Sequence, residues 1–189
     1  MPGFYEPIDR KTFLKASGVF TATALMSRAL DANQKTVESN QTCIALLSDT
    51  HIPVDVNEAY RGFRPTENLK AVVKQVAETA PAAALINGDA ARLVGAEADY
   101  LMLKSLLKPL AHTVPIHIGL GNHDDRHNFF KIFPATEKSA VDGKHVSIFE
   151  AAGTRFIILD SLLYVNKTAG LLGKATRSWL KTYLEEVDE

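Results

Sequence analysis

Cys43-Ile44-Ala45-Leu46-Leu47-Ser48-Asp49-Thr50-His51 decides how this chain is read, because a short apolar run stops at two side chains able to hold a metal ion. The run has the length and composition of a buried strand. The same arrangement returns twice. Ala82-Ala83-Ala84-Leu85-Ile86 leads to Gly88-Asp89, and Val114-Pro115-Ile116-His117-Ile118 leads to Gly121-Asn122-His123-Asp124. In open α/β sheets the carboxyl ends of the strands form the crevice where ligands bind, so clusters far apart in the chain can converge on one site. Carboxylate, imidazole and amide together suit hard or borderline divalent metals such as Mn, Fe or Zn better than a thiolate metal.

Helical periodicity fills the spaces between these runs. Leu69, Val72, Val73 and Val76 share one face, Tyr100, Leu103, Leu107 and Leu110 a second, and Trp179, Leu180, Tyr183 and Leu184 a third. Strand, helix, strand, helix, strand predicts an α/β fold with a parallel sheet and right-handed crossovers. After the third cluster the pattern changes. Val146-Ser147-Ile148-Phe149 and Arg155-Phe156-Ile157-Ile158-Leu159 flank Ala152-Gly153 as the arms of a hairpin, which predicts the start of a second sheet.

The ordered set Asp-x-His, Gly-Asp, Gly-Asn-His-Asp, each piece following a strand, resembles the calcineurin-like metallophosphoesterase family from Thr42 onward. Asp125-Arg126, which extends the third cluster, is similar to the cyclic-nucleotide and glycerophosphodiester phosphodiesterase branch. The resemblance implies an α/β/β/α sandwich, of which this chain supplies the first sheet and the opening of the second: an incomplete α/β/β/α metallophosphoesterase sandwich. It further implies two divalent metal ions (Mn, Fe or Zn) and a small-molecule phosphate ester substrate, monoester or diester.

A two-metal phosphoesterase needs one carboxylate to bridge its ions, and Asp89 is the candidate bridge. By the resemblance, Asp49 and His51 join Asp89 at a first metal and Asn122 joins Asp89 at a second. His123 is then the group that binds a phosphate oxygen and donates a proton to the leaving alcohol, with Asp124 orienting its ring. Taken singly, each of these residues reads more simply as a turn or strand-end residue, and only the ordered set argues for a site. Asp125 and Arg126 read either as substrate contacts or, more plainly, as a helix start. His112, His117, His127 and His145 read as structural or exposed, with His117 a core histidine inside a strand. Family members often carry an acid or amide near the position of Arg92, where this chain has Ala90-Ala91-Arg92.

Family members also carry further histidines after a later strand and in a terminal Gly-His-x-His, whereas His145 is the last histidine of this chain. Counting donors leaves the first metal with three and the second with two, one of them shared. The expectation is a C-terminally truncated metallophosphoesterase domain over residues 41–189, weak or inactive alone. The competing reading is a non-catalytic fragment or binding module that retains the fold and lacks the completing ligands.

Composition bounds the rest. At 189 residues, 46% hydrophobic and 23% charged, the chain can build one domain with a real core and is too apolar to be disordered. A net charge of -1 with dispersed Lys and Arg gives no nucleic acid binding patch. The single cysteine, Cys43, has no internal disulfide partner and reads as a small buried hydrophobe.

The N-terminus carries an address. Arg10-Lys11-Thr12-Phe13-Leu14-Lys15 precedes twelve uncharged residues, Ala16 to Ser27, a run too short to span a bilayer. It resembles a twin-arginine export signal with Lys11 in place of the second arginine. Residues 1–30 are thus expected to be a signal peptide, residues 31–40 a polar linker, and the protein exported to a bacterial periplasm without a stable membrane span. An amphipathic N-terminal helix packed on the domain is the alternative.

Overall fold

A computed structural model describes residues 43–134 and 139–187, so the expected leader and linker lie outside the described residues. Three parallel strands form the centre: β1 (Ile44–Leu47), β2 (Ala83–Asn87) and β3 (Ile116–Gly119), hydrogen-bonded in the order β1-β2-β3. Two helices make the crossovers, α1 (Pro65–Thr79) and α2 (Glu97–Ala111). Pro65 begins α1 where a missing N–H costs nothing, and Glu67 lies in the first turn, where acidic charge favours the helix dipole. The chain leaves α1 at Ala80 in a left-handed conformation (φ 44°).

Strand alternation divides the interior into two cores. Ala84 and Ile86 of β2 and Ile118 of β3 meet Leu69 and Val73 of α1 and Leu103, Leu107 and Leu110 of α2. Truncating one of these buried leucines to alanine costs about 2–5 kcal/mol by lost transfer energy and the cavity left behind. On the other face, Ala83 packs with Phe149 and Ile158 of an antiparallel hairpin, β4 (Ser147–Ala151) and β5 (Thr154–Ile158). His117 of β3, expected as a core histidine, is half-buried and stacks face to face on Phe149, ring centroids 3.6 Å apart.

Two short-range features complete the framework. Helix α3 (Arg126–Ile132) is capped by Asp125, whose carboxylate accepts from Asn128 N at 2.8 Å. Helix α4 (Lys174–Val187) carries the third predicted periodicity, with Trp179 and Tyr183 stacked at 5.3 Å. No described helix is long and apolar enough to cross a membrane. One expectation fails: Cys43 is exposed, because it precedes the first paired residue of β1, whose far side has no partner strand among the described residues.

Candidate metal centre

Register brings the clusters together. Leu47 pairs with Ile86, so two residues on Asp49 meets Gly88, and its N–H donates to Gly88 O at 3.2 Å. The two chain segments stay zipped past the ends of their strands: His51 N donates to Asp89 O at 2.9 Å, Ile52 N to Ala90 O at 3.0 Å, and Thr50 Oγ1 to Ala90 O at 2.9 Å. On the other side Asn87 pairs with Gly119, which carries Gly121 against Asp89 two residues later.

That last approach requires glycine. A β-carbon on Gly121 would lie 2.2 Å from Asp89 Oδ1, and one on Gly88 would lie 2.8 Å from Gly121 N. The cluster therefore occupies a crossing of three strand ends with no room for side chains at its centre.

Asp49, His51 and Asp89 are brought to one place, each offering an atom within 4.8 Å of the others. All three stand in left-handed backbone conformations, φ 54°, 44° and 48°. Such a conformation costs a non-glycine residue on the order of 1–3 kcal/mol and persists where the surroundings enforce it, commonly at functional sites. Here the zipped loops supply the constraint. Ser48 Oγ donates to Asp49 Oδ2, and His123 N donates to Asp89 Oδ1 at 2.8 Å.

The donor set fits a divalent cation. Two carboxylates and an imidazole are hard-to-borderline ligands, and like charges this close call for a counter-charge. His51 Nδ1 is moreover buried with no hydrogen-bond partner among the described residues. Buried polar atoms in folded proteins are nearly always satisfied, and in this ring Nδ1 has no partner while Nε2 lies 3.8 Å from Asp49 Oδ1, so the imidazole has donor capacity free for an ion.

Asn122 and His123 follow Gly121 into this crossing. Asn122 is held through its carbonyl, which accepts from Asn166 N at 2.7 Å. The His123 ring lies edge-on to His51, centroids 5.2 Å apart. Its Nδ1 is 2.9 Å from Leu93 O and 2.7 Å from Asn166 Oδ1. Both are acceptors, so Nδ1 carries the proton and Nε2 is the nitrogen left for other work.

Asp124 does not orient the His123 ring. Its side chain is fully buried and turned the other way, accepting from Gly121 N (2.8 Å), Ala91 N (3.1 Å), Ala90 N (3.2 Å) and Tyr100 Oη (3.0 Å). Adjacent side chains leave the backbone in different directions, and the carboxylate is taken up in tying the second and third clusters together from beneath. Burial pushes its pKa upward, and the four donors oppose that shift.

Asp125 and Arg126 take the plainer of their two readings. Asp125 is the α3 cap, and Arg126 is locked on the buried Asp160 by Nε–Oδ2 and Nη2–Oδ1 contacts of 2.5 and 2.9 Å. His112 and His127 are exposed, and His145 packs against Phe129 and Phe130.

A cavity of about 700 Å³ opens beside the triad, with Asp49, His51 and His123 at one end. Tyr60, Phe63, Leu69 and Val72 give it an apolar wall. Arg92 also lines it, held at 2.5 Å by Glu58 and lying 5.2 Å over the Tyr60 ring. Leu93, Tyr100 and Asn166 were not singled out by sequence reasoning as site residues. Asn166 is 43 positions from His123, directly after Leu162-Leu163-Tyr164-Val165, with no local sign of its partner.

Carboxylates and an imidazole gathered at the carboxyl ends of parallel strands, beside a cavity, form a candidate metal-binding group on an α/β fold. The chain belongs to the calcineurin-like phosphoesterase family, whose sequence profile matches residues 43–182. It is also 34% identical over 148 residues to a probable cyclic nucleotide phosphodiesterase of Rhodopseudomonas palustris, a match covering 75% of this chain and 51% of that protein. The chain thus spans about half the length of the curated relative it matches.

Proposed function

We propose that the protein hydrolyses phosphate esters, with a phosphodiester carrying an organic group as the best-fitting substrate class. The observation that carries this reading is the convergence of Asp49, His51 and Asp89 within 4.8 Å, with Asp49 and His51 lining a cavity that His123 also lines. Asp49, His51 and Asp89 would hold one divalent ion, and Asp89 with Asn122 would contribute to a second. When bound, such ions supply Lewis-acid polarisation of the phosphoryl oxygens and lower the pKa of water.

The chain's own residues account for orientation and proton delivery. Asp89 Oδ1 accepts from His123 N, so the carboxylate that would serve both ions is tied to the segment that carries the proton donor. His123 offers Nε2 to the cavity; in the imidazolium form, with Nδ1–H held by its two acceptors, the Nε2 proton passes to the departing oxygen as the P–O bond breaks and leaves the neutral Nδ1–H ring. Tyr60, Phe63, Leu69 and Val72 give the ester's organic half an apolar surface away from water. The probable cyclic nucleotide phosphodiesterase among its relatives supports a nucleotide-like diester.

The test is turnover of bis-nitrophenyl phosphate and of a cyclic nucleotide before and after chelation and Mn readdition. Metal-dependent release of product supports the reading. Mn binding at the triad with no turnover of any ester would favour a binding module instead. The leader pattern at residues 10–27 supports export, and a reporter fused to residues 1–35 should reach the periplasm. A wholly cytoplasmic reporter would defeat that part of the proposal.

A further inference from the structure

We propose that Asn166 is a positioning residue for His123, fixing which ring nitrogen faces the cavity; the inference rests on the hydrolase reading for its catalytic consequence but not for its geometry. Asn166 grips the third cluster twice. Its N–H donates to Asn122 O at 2.7 Å, and its side-chain Oδ1 accepts from His123 Nδ1 at 2.7 Å. Successive residues of one segment are thus held by the backbone and the side chain of a single residue.

The two grips need a particular backbone. Asn166 has φ 60°, in the left-handed region that Asn, Asp and Gly tolerate far better than other residues. Leu93, the second acceptor for Nδ1, is also left-handed at φ 47°. Two carbonyl-type acceptors, each from a residue at positive φ and 73 positions apart in the chain, converge on the same N–H. A free neutral imidazole can place its proton on either nitrogen; here the proton is confined to Nδ1 and the ring plane is fixed.

Asp124, the expected partner of that ring, has all its acceptor capacity directed elsewhere. Asn166 therefore does the orienting that a neighbouring carboxylate would otherwise do.

Two variants separate side chain from backbone. Asn166→Gly keeps the left-handed backbone and the bond to Asn122 O but removes the Nδ1 acceptor. Asn166→Asp restores an acceptor at the same place. In the full chain with Mn loaded, Asn166→Gly should lower kcat for an alkyl phosphodiester about tenfold or more, while KM and Mn stoichiometry change less than twofold. A nitrophenyl diester, whose leaving group needs little protonation, should be slowed far less. Asn166→Asp should recover most of the lost kcat.

A ring ¹⁵N spectrum of the metal-free chain gives a readout independent of activity. His123 should show a single Nδ1–H form in the parent and Asp variants and a mixture of tautomers in Asn166→Gly. An unchanged spectrum in Asn166→Gly would overturn the proposal, and so would equal slowing of both diesters. If the parent turns over no ester, the hydrolase reading falls and the spectrum alone decides the positioning role.

Discussion

Gly121 lies so close to Asp89 that a β-carbon would sit 2.2 Å from Asp89 Oδ1 and 2.4 Å from Asp89 N. The glycine is the space into which the Asp89 carboxylate is set. Gly121→Ala should therefore displace Asp89 and abolish tight Mn binding while α1 and α2 keep their packing. Calorimetric titration beside a circular dichroism melt checks it; Mn affinity within threefold of the parent would contradict the close-packed crossing.

Asp124 should matter to the fold and not to proton delivery. Asp124→Ala leaves three backbone N–H groups and the Tyr100 hydroxyl without their acceptor, and each buried unpaired group costs about 1–3 kcal/mol. Tyr100→Phe removes a hydroxyl that both donates to Asp124 and accepts from Asp125 N at 2.9 Å, so it should cost on the same order. Urea denaturation measures both. A stable Asp124→Ala protein with a selective defect on alkyl esters would restore the orienting role to Asp124.

Acid sensitivity should trace in part to His117. Burial lowers its pKa, so below the unfolded value near about 6.5 the unfolded chain takes up a proton that the folded chain refuses. Stability therefore falls as pH drops from there through the lower folded value. His117→Phe, which can keep the stack on Phe149, should flatten that decline. Burial lowers His145 as well, and it would retain its share. An identical pH profile in His117→Phe would refute the assignment.

A second acid transition belongs to Asp160. Burial alone would raise its pKa, but the Arg126 guanidinium, the His145 N–H and Lys144 outweigh it and leave the carboxyl below its usual range. The stability it gives is present above about pH 3.9 and lost as pH falls through the lower folded value. Arg126→Met should weaken this transition and destabilise the fold, by at most about 3–5 kcal/mol, since the buried carboxylate keeps only Lys144 at 3.8 Å as a charged partner. A loss under 1 kcal/mol would show the pair to be dispensable.

The sequence carried the strand runs, the helical faces and the Asp49, His51 and Asp89 convergence, because each depends on local periodicity and on which side chains follow a strand end. Strand register then did the rest, and register follows from the same alternation that separates Ala83 from Ala84. What could not be read was where neighbouring side chains point. Asp124 and His123 are adjacent in sequence and serve opposite sides of the backbone, one bound beneath it and one facing the cavity. The His123 partners, Leu93 and Asn166, are set by loop conformations at positive φ that no periodicity announces. The burial expected of Cys43 failed for a related reason, since it depends on what flanks an edge strand.

The central claim is that Asp89 is the carboxylate around which a divalent metal centre is built, and Mn titration followed by electron paramagnetic resonance tests it most directly. Asp89→Asn should weaken Mn binding by tenfold or more, beyond the effect of Asn122→Ala, because the Asp89 carboxylate lies among the triad and is also held directly by His123 N of the third cluster. Equal affinities in parent and Asp89→Asn would contradict the account.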